Sequence, residues 1–556
     1  MVTISRRTIY YAVALVALVG IVLIVVFTTR KSSPTISGPP VYVETKSGGI
    51  IEGVILSREK GTVSGFYGIP FAQPPVNELR FQKAVMHPGF KSGDTFKANT
   101  LPPGCIQYNA WKPVPDSEDC LFLNVFVPGD KIDSTVKKPV MVWIYGGSFL
   151  MGSIQLDNSE LASFGDVIVV TIAYRVGIYG WLKSSGKVID TNIGLRDQSL
   201  ALQWVHENIA SFGGDASQVT IFGESAGSIS VGFHFMSKYS RPYFQRAILE
   251  SGAPSPVGID GGIDPLSALD LAKETNCPVE ESPSMLKCLQ NLSVDVLREA
   301  QTNLMSIRHS NAIIPNTDRD VIPSHPFHFF KQENAFADHH KEVIIGINGD
   351  EGAMFIQPMF PDLFPLNKSV NANLTWVVMK KHLEAVFKDK PDVLEKFMSL
   401  MNPNDNDSSA VITEKFSQMI SQLIFGCASF RLATNFTRHP ERKVYFYQFD
   451  VRPQISTNYP WAKKAVHTDE IPFVFGHPFL SKDLYNEKER SLSKTIMTYW
   501  SNFAKTGVPS DTWKACQGKD LHHLWIKDHE GDFEMKPGLP DNICDPLMDL
   551  FPVPLD

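Results

Sequence analysis

The sequence predicts an α/β fold: a central, mostly parallel sheet flanked by helices, preceded by one N-terminal transmembrane helix. Three observations predict it. The runs "PVMVWIY" (139–145) and "DVIVVTIAY" (166–174) are continuously apolar and rich in β-branched residues, as strands buried on both faces require. Helix-period segments fall between such runs, and alternating strands and helices lead to a parallel sheet with covered faces. The third observation is an uncharged stretch close to the start of the chain.

That stretch runs from Thr8 to Thr29, rich in Val, Leu, Ile and Ala. At ~1.5 Å per residue it spans a bilayer core of ~30 Å. Arg6 and Arg7 precede it, Arg30 and Lys31 follow, and no A-x-A-like cleavage site intervenes. We read residues 1–7 as a short cytosolic tail, 8–29 as an uncleaved signal anchor, 30–40 ("KSSPTISGPP" and the arginine before it) as a Pro/Ser-rich stalk, and 41–556 as the folded domain. The flanking charges do not orient the anchor, because two basic residues sit on each side. Cysteines and sequons do. Seven cysteines, none in a C-x-x-C pair, argue against zinc or thioredoxin chemistry. Asn291, Asn367, Asn373, Asn406 and Asn435 each begin an N-x-S/T sequon. Together these predict a single-pass type II protein with a lumenal or extracellular body, or a secreted one if the segment is cleaved.

Within the body, "GLRDQSLALQWVHENIA" (194–210) repeats its apolar residues near helical spacing. "QVTIF" (218–222), "RAILE" (246–250), "EVIIGI" (342–347) and "KVYFYQF" (443–449) continue the strand series. "LSKTIMTYWSNFAKTG" (492–507) reads as a closing helix with Gly507 just past its end. A net charge of −7 over 556 residues, with no basic block, excludes a nucleic-acid footprint.

"FGESAG" (222–227) seats Ser225 between Gly223 and Gly227 at a strand-to-helix junction. G-x-S-x-G in that setting is a nucleophile elbow. The glycines remove Cβ atoms that would crowd the turn, and the turn lifts the hydroxyl above the sheet edge. The helix that follows aims backbone N–H groups at developing negative charge. The plain alternative is a tight turn of small residues. "WIYGGSF" (143–149) adds a strand ending in paired glycines upstream, where an oxyanion loop belongs. The N–H groups of Gly147, Ser148 and Ala226 could then hold an oxyanion. A serine needs a base, and the base an orienting acid. "IIGINGDEG" (344–352) ends a strand with Asp350 and Glu351, and position alone does not choose between them. Of fifteen histidines, His339, His340, His522 and His523 sit in polar stretches, whereas His467 lies in a loop leading into an apolar run.

With these residues in view, the chain resembles the type-B carboxylesterase/cholinesterase family of α/β-hydrolases from about residue 41 to 551. The blocks "FYGIPFAQPPVNELRF" (66–81), "SEDCLFLNVFVP" (117–128), "GDASQVTIFGESAG" (214–227) and "RAILESGAP" (246–254) carry the resemblance. It implies Glu351 as the acid, through the D-E-G motif, and His467 as the base, through the histidine before x-x-E. It also implies Glu224 as an electrostatic neighbour and Ser251 as a buried supporting hydroxyl or a structural cap. It further implies disulfides Cys105–Cys120, Cys277–Cys288 and Cys427–Cys544, leaving Cys516 as a free thiol or an intermolecular bridge. Arg80 with Glu118, and Arg175 with Asp197, resemble family ion pairs. No cofactor or metal is implied.

The chain departs from cholinesterases in four places. "RHSNAIIP" (308–315) lacks the aromatics that narrow their acyl pocket. Trp111 only approximates their choline-binding tryptophan. "SGAPSPVG" (251–258) lacks the tryptophan they carry after this block. Ser148 stands where a third oxyanion glycine is usual, a feature shared with the neuroligin-like adhesion branch. The sequence therefore predicts a membrane-anchored serine carboxylesterase acting on a small-molecule ester. The alternatives are a neuroligin-like adhesion protein, a cholinesterase-like choline ester hydrolase, or a lipase preferring long acyl chains.

Overall fold

The computed structural model describes residues 34–108, 114–254, 265–308, 312–329, 332, 342–370, 373–388, 390–439, 441–518, 521–528, 533–538 and 543–548. The anchor segment 8–29, Trp111, His339 and His340 lie outside the described residues. Among the described residues no helix is long and apolar enough to cross a membrane.

The described residues build a mixed α/β fold on a large sheet of 13 strands. Its order is Pro40–Glu44, Ile50–Arg58, Gly61–Pro70, Phe122–Pro128, Ile168–Ile172, Lys138–Ile144, Gly214–Glu224, Arg246–Glu250, Glu342–Asn348, Lys443–Phe449, His522–Ile526 and Phe533–Pro537, with Thr95–Lys97 beside Ile50–Arg58. From Ile168–Ile172 to His522–Ile526 all neighbours on this path are parallel. The path is antiparallel on its N-terminal side and at its last strand. The continuous apolar runs form the parallel centre, where Ile168–Ile172 is buried throughout. This arrangement fits the α/β-hydrolase architecture.

Helices Ile193–Asn208, Ala226–Met236 and Glu487–Thr506 pack on the sheet. The first is tied down by Asp197, which takes two hydrogen bonds of 2.7 and 2.6 Å from the Arg175 guanidinium with both side chains buried. The last helix begins five residues before the apolar period does. Asn486 and Glu489 form a capping box that satisfies the first-turn N–H groups, and Gly507, at φ 73°, ends the helix. His522 and His523 are not in a solvated loop. They belong to the strand His522–Ile526, next to the edge strand Phe533–Pro537, half-buried, with His523 Nδ1 2.8 Å from the carbonyl oxygen of Gly538.

The three disulfides are Cys105–Cys120, Cys277–Cys288 and Cys427–Cys544. Cys516 is free and buried, its thiol donating to the carbonyl oxygen of His522 at 3.1 Å, and burial pushes that thiol above its ordinary pKa. A bridge to another molecule is closed to it in this fold. Asn291, Asn367, Asn373 and Asn406 are exposed, and Asn435, on helix Cys427–Phe436, is half-buried.

Candidate active site

Parallel strands deliver their carboxyl ends to one edge of the sheet, which is where open α/β sheets place their sites. Adjacent strands end there in sequence: Ile144 before Gly146–Ser148, Glu224 before Ser225, Glu250 before Ser251, and Asn348 before Asp350 and Glu351. In register, Gly223 lies beside Ile144, and Glu224 beside Glu250.

Ser225 is the N-cap of helix Ala226–Met236, with φ 55° and ψ −124°, a conformation that L-residues rarely adopt. The flanking glycines allow it. A Cβ on Gly227 would lie 2.0 Å from the Ile144 carbonyl oxygen, and one on Gly223 would lie 2.7 Å from the Gly227 carbonyl carbon. The Ser225 N–H bonds to the Glu250 carbonyl oxygen at 3.0 Å, which ties the elbow to the next strand. Ser225 retains 9% exposure, while His467 and Glu351 are at 3% and 0%; the hydroxyl is thus the member of the group nearest solvent.

Glu351 and His467, 116 residues apart in the chain, meet with Nδ1 2.6 Å from Oε2. The other Glu351 oxygen accepts the Asn348 N–H at 2.6 Å, so the carboxylate is fixed at both ends. Asp350, its neighbour, turns away and accepts from the Ser417 hydroxyl. The second imidazole nitrogen, Nε2, lies 3.1 Å from Glu224 Oε1. Among the described residues no hydrogen bond joins Ser225 Oγ to the imidazole; such bonds are commonly long before substrate arrives.

Buried carboxyl groups crowd the floor beneath. Glu224 and Glu250 are held well above the usual carboxylate range, first by burial and then by neighbouring glutamates. Glu470 is pushed up to about 7 by burial and by Glu351. Ser251 donates to Glu470 Oε1 at 3.2 Å, and Asn348 Nδ2 donates to its other oxygen. Ser251 thus joins the carboxyl network under the imidazole.

Opposite the elbow, Gly147 has φ 113° and Ser148 φ 56°. A Cβ on Gly147 would come within 2.4 Å of the Met151 carbonyl oxygen. Among the described residues, the N–H groups of Gly147, Ser148 and Ala226 donate to no protein acceptor. Gly146 closes the gap to the elbow: a Cβ there would lie 2.7 Å from the Glu224 carbonyl oxygen and 3.0 Å from Ser225 Cβ. Among the described residues no group of His, Cys, Asp and Glu has the spacing of a metal site.

Sequence reasoning assigned no role to Phe355, Phe425, Glu470 or Asn348. Glu470 had a signal, as the glutamate of the x-x-E that marks His467. The two phenylalanines had none beyond being apolar.

A model of the Carboxylesterase family matches residues 39–544. Acetylcholinesterase 1 of Caenorhabditis briggsae is 35% identical over 505 residues, covering 85% of this chain and 80% of that protein. Acetylcholinesterase-1 of Trittame loki is 32% identical, covering 87% and 89%. Bile salt-activated lipase of Rattus norvegicus is 35% identical, covering 84% and 77%.

Proposed function

The chain belongs to the carboxylesterase family and is a carboxylic ester hydrolase, and from that premise we propose that it is a membrane-anchored serine carboxylesterase working through an acyl-enzyme on Ser225. The observation that carries this reading is the 2.6 Å bond between Glu351 and His467 beside a serine on a strained elbow. Ser225 Oγ attacks the ester carbonyl. His467 Nε2 takes the hydroxyl proton and later returns it to the leaving alcohol, while Glu351 holds the Nδ1 proton and with it the tautomer. The unclaimed N–H groups of Gly147, Ser148 and Ala226 receive the oxyanion. Water activated by the same imidazole then frees the acid.

Glu224 poses a problem that its surroundings solve. An ionised carboxylate 3.1 Å from Nε2 would hold a proton there and spoil the base. Burial and the neighbouring glutamates favour its neutral form, so no carboxylate charge stands beside Nε2 to hold a proton on it.

The test is active-site titration with an organophosphate. One equivalent should bind at Ser225, and Ser225→Ala should lose both labelling and turnover of a short-chain nitrophenyl ester; labelling elsewhere sinks the assignment. A second reading, choline ester hydrolysis, is favoured by the two acetylcholinesterases among the relatives. Against it stands the stretch 308–315 without aromatics. Comparing acetylthiocholine with a neutral thioester of the same acyl group decides: the carboxylesterase reading expects no preference for the cation.

The anchor and the lumenal body belong to the same proposal. They are supported by the uncharged segment 8–29, the exposed sequons and the three disulfides, which persist in oxidising compartments.

A further inference from the structure

The α-helical run Ser409–Ser421 does not pass directly into helix Cys427–Phe436; a single π-helical turn, Gln422–Gly426, separates them. The Cys427 N–H reaches back five residues to the Gln422 carbonyl oxygen. The turn is pinned on both sides. Before it, the Ser421 hydroxyl accepts the Gly352 N–H at 2.8 Å, and a Cβ on Gly352 would lie 2.0 Å from the Ser417 carbonyl oxygen, so the helix presses on the residue after Glu351. After it, Cys427 is bonded to Cys544. A π turn is rare and falls frequently at functional sites.

The side chain aimed here is Phe425, which is 3% exposed. Its ring stacks on the His467 imidazole with centroids 4.5 Å apart and planes 22° from parallel. Phe355, from the helix that follows Glu351, meets the same imidazole at 5.2 Å and 60°. The two phenylalanines touch each other at 5.3 Å.

The imidazole has one strong in-plane restraint, the bond to Glu351. One bond does not by itself fix the ring plane, on which the direction of Nε2, here 3.1 Å from Glu224 Oε1, depends. A flat face in stacking contact fixes that plane. It also attracts the imidazolium formed when the serine proton is taken, since ring faces attract cations within ~6 Å of the centroid. Resting on the reading of Ser225, His467 and Glu351 given above, we infer that Phe425 is a positioning residue: its ring, delivered by the π turn, holds the His467 plane in line with Ser225 and so sets kcat.

The experiment uses the full chain bearing Phe425→Leu or Phe425→Tyr, with rates expressed per organophosphate-titrated site so that unfolded protein drops out. Acetyl and butyryl nitrophenyl esters are compared. Misplacement of a reacting group by ~1 Å can cost about 100-fold. Phe425→Leu should therefore lower kcat about 10- to 100-fold on both esters, with KM changed less than about 3-fold, and Phe425→Tyr should recover most of the loss. Two results overturn the inference. In one, kcat on the acetyl ester is unchanged and only chain-length preference moves, which makes Phe425 a pocket wall. In the other, Tyr falls as far as Leu, so the ring face is irrelevant. Activity that survives Ser225→Ala is a separate failure: it removes the catalytic reading, and this inference with it.

Discussion

At the scale of single residues, the acid shows what a sequence can and cannot place. Asp350 and Glu351 are neighbours at one strand end, and only the turn between strand and helix sends one to Ser417 and the other to His467. Glu470 carries a prediction of its own. Its carboxyl is raised from an ordinary 4.5 to about 7, so the fold favours its protonated form. The stability this group contributes is fully present below about 4.5 and is lost as pH climbs to about 7. Glu470→Gln keeps an acceptor for Asn348 Nδ2 and offers its amide N–H to the Ser251 hydroxyl, but cannot ionise. Thermal midpoints measured from pH 4.5 to 8 should fall less steeply in the variant than in the parent; equal slopes would assign the titration to another buried carboxyl. Ser225 stands out in the sequence through its local G-x-S-x-G pattern, whereas His467 is set apart from the other histidines by the family resemblance. Phe425 stands out in neither way, because its role comes from a π turn that apolar periodicity does not encode.

At the scale of elements, the parallel strands at the centre of the sheet were readable; the antiparallel ones, and the parallel strand His522–Ile526, were not. Runs such as Ile168–Ile172 are buried on both faces and spell themselves out as unbroken apolar sequence. Ile50–Arg58 carries Glu52 and Gly53 in mid-strand, and Gly53 is there because a Cβ would strike the Phe66 ring at 2.5 Å. Such a strand is set by packing with its neighbour and leaves little pattern of its own. The glycine loop after Lys138–Ile144 was readable in place and order, though not in conformation. Its prediction follows from that conformation. Gly147→Ala puts a Cβ on a φ of 113° and against the Met151 carbonyl oxygen, so the loop has to move. The Gly147 N–H then misses the oxyanion. We expect kcat on a nitrophenyl ester to fall by about 10²–10³-fold, the usual cost of one lost donor, with KM little changed. A fall in KM-limited binding with kcat intact would show that the loop holds substrate and not the transition state.

At the scale of the whole molecule, the question is where the folded body begins and what the residues before it do. The Ile36 N–H bonds to the Asn99 carbonyl oxygen at 2.7 Å, Thr35 bridges to Thr100, and the first strand starts at Pro40. Residues read as the end of a stalk are therefore already laced to the body. The site lies on the parallel centre of the sheet, several strands away from Pro40–Glu44, which forms its edge. An anchor attached at that edge can be removed without touching the strands and loops that place Ser225, Glu351 and His467. Deleting residues 1–31 and supplying a cleavable signal should thus release the protein into the medium with unchanged kcat and KM. The full chain should stay in the membrane pellet through alkaline carbonate extraction. In sealed microsomes it should resist protease except at its short N-terminal tail, and glycosidase should increase its mobility on a gel. Full-length chain washed off by carbonate would show that the segment 8–29 does not span the bilayer. A protease-sensitive body would reverse the orientation, leaving the sheet and its site as described.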